Sequence, residues 1–162
     1  MLDRIDPREA EIVERHLLIY PVKVGDLAEE LGLKVIRAAL SPKISGLIQP
    51  SDATPSGFEI KVNKYEAAER QRFTVAHEIA HYLLHRNDIG TGVVDSIMYR
   101  SSLTSRKETE ANRLAADITM PAEAVSRELN NFNGIRDAEV ASALASIFRV
   151  SLPAMKVRLG LT

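Results

Sequence analysis

The sequence has no cysteine among its 162 residues. Disulfide bonds, thiolate zinc sites and cysteine nucleophiles are therefore excluded. Because thiolate is absent, side chains could bind a transition metal only through histidine nitrogen and carboxylate oxygen. The ligands of any such site must lie among the 4 histidines and the acidic residues.

The chain also lacks an excess of either charge and any long apolar run. Lys and Arg total 21, Asp and Glu total 22, and the net charge is -1. This balance gives no electrostatic footprint for nucleic acid or an anionic membrane, so we expect no direct binding to either. The charged segment 1–10 has no signal-peptide core, and no apolar run reaches the ~20 residues of a membrane helix. We expect a cytoplasmic protein.

Length and composition fit one folded domain. Apolar residues make up 45% of the chain and charged residues 27%, as in ordinary globular proteins. We expect a single α+β domain over residues 1–162, with a small, mostly antiparallel sheet and a helical C-terminal half. Its expected parts are N-terminal helices over 7–31, the sheet over 34–63, a long helix over 67–86, another over 105–119 and a helical tail over 121–160.

Local signals define the first helix and one strand. Asp6 is an N-cap followed by proline at N1 and a capping-box acid, which predicts a helix from Pro7 to Tyr20. The alternation of apolar and polar residues over Phe58 to Val62 predicts a half-buried strand. Residues 87–104 show no clear pattern and are interpreted as a linker.

The most informative motif is His77-Glu78-Ile79-Ala80-His81. On a helix, histidines four positions apart share a face, lie about 6 Å apart along the axis and can bind one metal ion together. Glu78 is then placed to act as the general base that takes a proton from the attacking water. Zinc is the default ion, although these donors also suit manganese or iron. The pattern is typical of metallopeptidases.

A third ligand is expected from an acidic residue on the helix over 105–119. Glu108 is preferred, and Glu110, which points about 200° away around the helix, is the alternative. Asn112 shares the Glu108 face and could hydrogen-bond the outer nitrogen of a ligating histidine. Glu108 also has a structural alternative, because Ser105 to Glu108 fits a capping box that would direct the carboxylate to backbone amides.

His85 extends the histidine face by another turn. Its Cα would lie about 12 Å from that of His77, too far to share one ion easily, so a second-shell or structural role is expected. Tyr65, Tyr82 and Tyr99 are candidates to stabilise the oxyanion of a tetrahedral intermediate, as His85 also is. The sequence does not choose among them.

Two blocks of the sequence resemble the ImmA/IrrE-type metallopeptidases. The first runs from Arg72 to His85, and the second, from Glu108 to Pro121, contains Glu-x-x-Ala-Asn, Leu-Ala-Ala and a closing Met-Pro. The resemblance implies a zincin-like domain with the sheet packed on the active-site helix. It also implies His77, His81 and Glu108 as metal ligands, with Glu78 as general base.

The resemblance further implies a task. ImmA/IrrE-type peptidases cleave a helix-turn-helix repressor of the Xre type, so a repressor of this kind is the expected protein substrate. A substrate strand is expected to add to an edge of the sheet, with Phe58 to Val62 as the proposed edge.

The sequence also fits two rival functions. The run from Val140 to Leu159 resembles a helix-turn-helix, which would suit a DNA-binding regulator, but residues 151–162 offer only Lys156 and Arg158 as cations. We favour the alternative that these helices pack on the peptidase core. A non-catalytic metal-binding module is the second rival, and Glu78 argues against it.

Overall fold

The structure is a computed structural model that describes residues 2–90, 92–96 and 105–161. Its helices are α1 (Pro7–His16), α2 (Val24–Glu30), α3 (Ala68–His85), α4 (Ser105–Thr119), α5 (Ala122–Asn130), α6 (Ala138–Phe148) and α7 (Leu152–Arg158). Its strands are β1 (Lys34–Ala38), β2 (Ile44–Pro50), β3 (Phe58–Asn63) and β4 (Val93–Ser96), and 3-10 turns cover Leu2–Arg4 and Arg86–Asp88. The predicted α+β class is confirmed.

The strands form one sheet in the order β1-β3-β2-β4. β2 pairs antiparallel with β3 and with β4, whereas β1 runs parallel to β3. The sheet is therefore mostly antiparallel, as predicted. β4 lies within the expected linker 87–104, so that interpretation is wrong for residues 93–96. Four residues are too few to show a periodic pattern, and β4 is defined by its pairing with β2.

The sheet order corrects the expected docking edge for a substrate strand. Phe58 to Val62 belongs to β3, which is hydrogen-bonded to β1 on one side and β2 on the other. Both rows of its backbone groups are already paired, so no further strand can add there. Among the described strands, the edges are β1 and β4.

The first helix begins as predicted but ends early. The Asp6 carboxylate accepts from the backbone N–H groups of Arg8 and Glu9, which confirms the N-cap. α1 ends at His16 rather than Tyr20. The chain turns there and stacks the Tyr20 ring on Phe148, 4.9 Å between centroids. A contact across 128 positions of sequence thus overrides the local helical pattern.

The long helix α3 is the centre of the fold. Every residue from Thr74 to Leu83 is buried, because α3 lies on β2 and β3 and packs along α4. Gly46 on β2 allows the close approach, since a Cβ there would lie 2.6 Å from Thr74 Cγ2 and 2.8 Å from the Lys61 carbonyl oxygen. The missing side chain at this position fixes how closely α3 approaches the sheet.

A buried asparagine fixes the start of α3. Asn63, at the end of β3, donates from Nδ2 to the carbonyl oxygens of Ser41 (3.1 Å) and Ile44 (2.9 Å). Its Oδ1 accepts from the Tyr65 N–H at 3.1 Å. Such full pairing stabilises a buried amide, and here it joins the loop before β2 to the chain leading into α3.

The buried apolar residues form two clusters. The first contains residues between Ile5 and Ile118 and joins the four helices α1, α2, α3 and α4 with the sheet. The second, from Met120 to Leu159, joins α5, α6 and α7, with Tyr20 and Ala116 packed against it. The last two helices therefore pack mainly within their own cluster, a difference from the expected packing on the peptidase core. The interpretation as one domain stays a prediction.

Arg72 connects α3 to the second cluster. Its guanidinium donates to the carbonyl oxygens of Val22 (2.8 Å), Arg149 (3.1 Å) and Phe148 (3.3 Å). The last two lie at the C-terminal end of α6, where unpaired carbonyls favour a cation.

Within the described ranges, no single helix is long and apolar enough to cross a membrane. Taken together, α6 and α7 have the length and composition required, but they are bent by 112° relative to each other.

Replacing Gly46 by alanine should destabilise the fold. The added Cβ would meet a backbone carbonyl that cannot rotate away, so we expect a loss of about 1 to 3 kcal/mol in the free energy of unfolding, measured with urea. Gly25→Ala is the matched control, because a Cβ at Gly25 in α2 has nothing within 4 Å. That variant should be unchanged or more stable. Equal stability of the two variants would contradict the close packing of α3 on β2.

Candidate metal centre

Two helices bring three donor groups together at one point. His77 and His81 lie one turn apart on α3, and Glu108 is in the first turn of α4. Glu108 Oε2 is 3.3 Å from His77 Nε2, and Glu108 Oε1 is 3.0 Å from His81 Nε2. One ligand atom from each of the three residues lies within 4.8 Å of the others.

These distances fit a shared metal ion. In a tetrahedral zinc site with bonds of about 2.0–2.1 Å, neighbouring ligand atoms are about 3.3 Å apart. The two nitrogen–oxygen separations, 3.3 and 3.0 Å, are close to that value, although each involves a different oxygen of the Glu108 carboxylate. The donor set of two imidazoles and one carboxylate also suits zinc, manganese or iron. The residues present therefore fit a divalent cation.

The electrostatics of Glu108 favour its ionised form. Burial alone raises the pKa of this carboxyl, but the adjacent imidazoles of His77 and His81 outweigh burial and hold the pKa below that of ordinary glutamate. Both carboxylate oxygens face imidazole nitrogens. The alternative in which the Glu108 carboxylate only caps α4 is not supported by these contacts.

Glu110, the alternative third ligand, has other partners. Its Oε1 lies 3.0 Å from His85 Nε2, and its Oε2 is paired with the guanidinium of Arg4. Arg4 and His85 together lower the pKa of Glu110 to about 2. Glu110 is therefore an ionised neighbour of the centre, and its oxygens are used by these two groups.

His85 occupies the place that was expected for Asn112. The Nδ1 atoms of His81 and His85 are 3.1 Å apart, so the outer nitrogen of His81 contacts the next histidine on its own helix. Asn112 is exposed on α4. For His81, the next turn of α3 supplies the partner of the outer nitrogen, and the role expected for Asn112 stays a prediction. Burial lowers the pKa of His85, although Glu110 opposes this effect.

Glu78 is fully buried in the middle of α3. It follows His77 directly, and burial of His77 and His81 is nearly as complete, with 6% and 0% of their surface exposed. Burying an acid beside two histidines costs free energy, and such clusters of buried titratable groups are found most often at functional sites.

The tyrosines are distributed differently from the expectation. Tyr82 packs edge-on against Phe58 and lies under the Arg86 guanidinium, 3.9 Å from its ring centroid. Burial raises the pKa of Tyr82. These contacts give no support for an oxyanion role of Tyr82. Tyr65 is exposed just before α3, and Tyr99 lies outside the described residues.

Sequence reasoning did not find the part of Glu110 and Arg4 in this region. Glu110 was weighed only as a ligand, and Arg4 carried no motif. His85 is the sequence feature that could have indicated them, since a third histidine on a buried helix face needs a hydrogen-bond partner of its own. That partner proves to be Glu110.

Two histidines on one buried helix and a glutamate on a second form a candidate metal centre, an arrangement that is typical of helix-borne metallopeptidase centres. The sequence model of the peptidase M78 family, described as the IrrE N-terminal-like domain, matches residues 28–160. The chain therefore belongs to this family of metallopeptidases, which confirms the resemblance predicted from the sequence. No curated protein matches the chain.

The zinc content of two variants should show which glutamate, Glu108 or Glu110, is the third ligand. At saturating zinc, we expect about one ion per wild-type chain, none retained in the centre by Glu108→Ala, and about one in Glu110→Ala. The reason is that Glu108 alone of the two faces both imidazole nitrogens. Equilibrium dialysis followed by mass spectrometry measures the stoichiometry. Full binding by Glu108→Ala, with loss in Glu110→Ala, would reverse the assignment.

Proposed function

We propose that this chain is a metal-dependent endopeptidase that cleaves one partner protein. In this proposal His77, His81 and Glu108 hold the metal and Glu78 is the general base. The observation that carries it is the convergence of three donor atoms within 4.8 Å in a chain of the peptidase M78 family. Family membership makes its substrate a protein or peptide.

Zinc is the proposed ion. Manganese and iron are alternatives, because histidine nitrogen and carboxylate oxygen bind them as well. A bound divalent ion would supply Lewis acidity, which lowers the pKa of bound water to about 7 and polarises a carbonyl. Glu78 takes the proton of the attacking water and passes it to the leaving amine. Its burial supports this role, since a low dielectric strengthens its interaction with charge that develops nearby.

The proposed substrate is a helix-turn-helix repressor of the Xre type, as the resemblance to ImmA/IrrE-type peptidases implies. Such a repressor acts on DNA in the cytoplasm, so the proposed location is the cytoplasm. An extended substrate segment can bind through main-chain hydrogen bonds at an open sheet edge. In the described sheet, β1 and β4 have an open edge.

A DNA-binding regulator is the second candidate, and one observation favours it. α6 and α7 meet at 112° across a three-residue turn, within the range of helix-turn-helix motifs. The charges of α7 argue against DNA binding. Arg158 donates to Asp117 and to the Met120 carbonyl oxygen, which leaves Lys156 as the other cation of α7. Phosphate contacts need several available cations.

Replacing Glu78 by glutamine should abolish cleavage but not metal binding. The amide cannot accept the proton of the attacking water, so we expect a loss of at least about 100-fold in cleavage rate, while the zinc stoichiometry stays that of wild type. The substrate to test is a repressor encoded beside the gene, and intact and cleaved forms are followed by mass spectrometry. Glu69→Gln is the control, an exposed acid on the same helix, and should cleave normally.

Two results would count against the proposal. If Glu78→Gln cleaved at the wild-type rate, Glu78 would not be the general base. Zinc binding without hydrolysis by wild type or Glu69→Gln, for every repressor tested, would favour the non-catalytic metal-binding module.

A further inference from the structure

We propose that Arg4, Glu110 and His85 are positioning residues that hold His81 with its Nε2 lone pair directed at the metal centre. This inference rests on the proposed function, because it concerns how one proposed ligand is oriented. The four residues form a continuous row from the N-terminal 3-10 turn, through α4, to the middle of α3.

Glu110, which follows Arg4 in this row, has a carboxylate that can only accept hydrogen bonds. Glu110 Oε1 is 3.0 Å from His85 Nε2, so the hydrogen of this contact belongs to His85 Nε2. In a neutral imidazole with its hydrogen on Nε2, Nδ1 is an acceptor. His85 therefore offers a lone pair, and not a hydrogen, to His81.

The next contact sets the tautomer of His81. The two Nδ1 atoms are 3.1 Å apart, and a hydrogen bond needs one hydrogen between them. Because His85 Nδ1 accepts, His81 Nδ1 carries the hydrogen and donates. When the centre holds an ion, His81 Nε2 is then the lone-pair donor that faces it, next to Glu108 Oε1, which lies 3.0 Å away. This is the tautomer that a metal requires at Nε2.

Arg4 fixes the far end of the row. Its guanidinium pairs with Glu110 Oε2, while Oε1 stays with His85. The side chain of Glu110 is 15% exposed, and that of Arg4 is 48% exposed. An ordinary surface ion pair of this kind adds little stability. Its effect here is to hold one oxygen, so that the other can orient His85.

Zinc affinity tests the row. Partners of this type commonly change metal affinity 10- to 100-fold. By competition with a chromophoric chelator, we expect His85→Ala and Glu110→Ala to bind zinc 10- to 100-fold more weakly than wild type, and Arg4→Ala several-fold more weakly. Glu110→Gln should lose less than Glu110→Ala, because its amide oxygen can still accept from His85.

Two controls separate positioning from general stability. Arg15→Ala breaks the Arg15–Glu30 pair, another surface ion pair, and should bind zinc within twofold of wild type. The double variant His85→Ala/Glu110→Ala should be no more than twofold weaker than His85→Ala, since Glu110 acts through His85.

The outcomes distinguish this inference from the proposed function. If wild type binds zinc and cleaves its substrate, but Glu110→Ala and His85→Ala match Arg15→Ala, the positioning role is overturned and the peptidase stands. Additive losses in the double variant would also overturn it. If wild type binds no zinc, the proposed function fails, and the positioning role fails with it.

Discussion

The structure depends on one constraint, the burial of polar side chains on a single helix. His77, Glu78, His81 and His85 all lie on α3 with at most 6% of their surface exposed. Buried polar groups destabilise a fold unless the surrounding elements supply partners. α4 packs along α3 and supplies the carboxylates of Glu108 and Glu110. The buried polar side chains of α3 thus determine which face of α4 packs against α3.

The ends of the chain are joined to the same helix. Glu9 of α1 accepts two hydrogen bonds from Arg86, just beyond the end of α3, at 2.7 and 2.8 Å. Near the start of α3, Arg72 donates to the end of α6. All of these contacts span more than 70 positions, so segments far from the histidine motif determine where its helix lies. A rigid support of this kind is what a metal centre needs, since small displacements weaken ligand geometry.

The sequence predicts those features that local patterns encode. The cap at Asp6, the alternation in β3 and the long uninterrupted helix α3 were all found because each is a short-range signal. The early end of α1, the strand β4 and the interior place of β3 were missed because each depends on contacts between distant segments. In the centre, helical spacing placed His77 beside His81 and the sequence favoured Glu108 over Glu110, but the separate partners of the two carboxylates follow from the packing of α4 on α3.

The most direct test of the account is X-ray absorption at the zinc edge of the loaded chain. We expect nitrogen and oxygen neighbours of zinc at about 2.0–2.1 Å with the scattering pattern of two imidazoles, falling to one imidazole in His77→Ala. Zinc bound with no imidazole scattering, or a spectrum that His77→Ala leaves unchanged, would contradict it. In that case α3 and α4 would bury these groups for a purpose other than binding a metal.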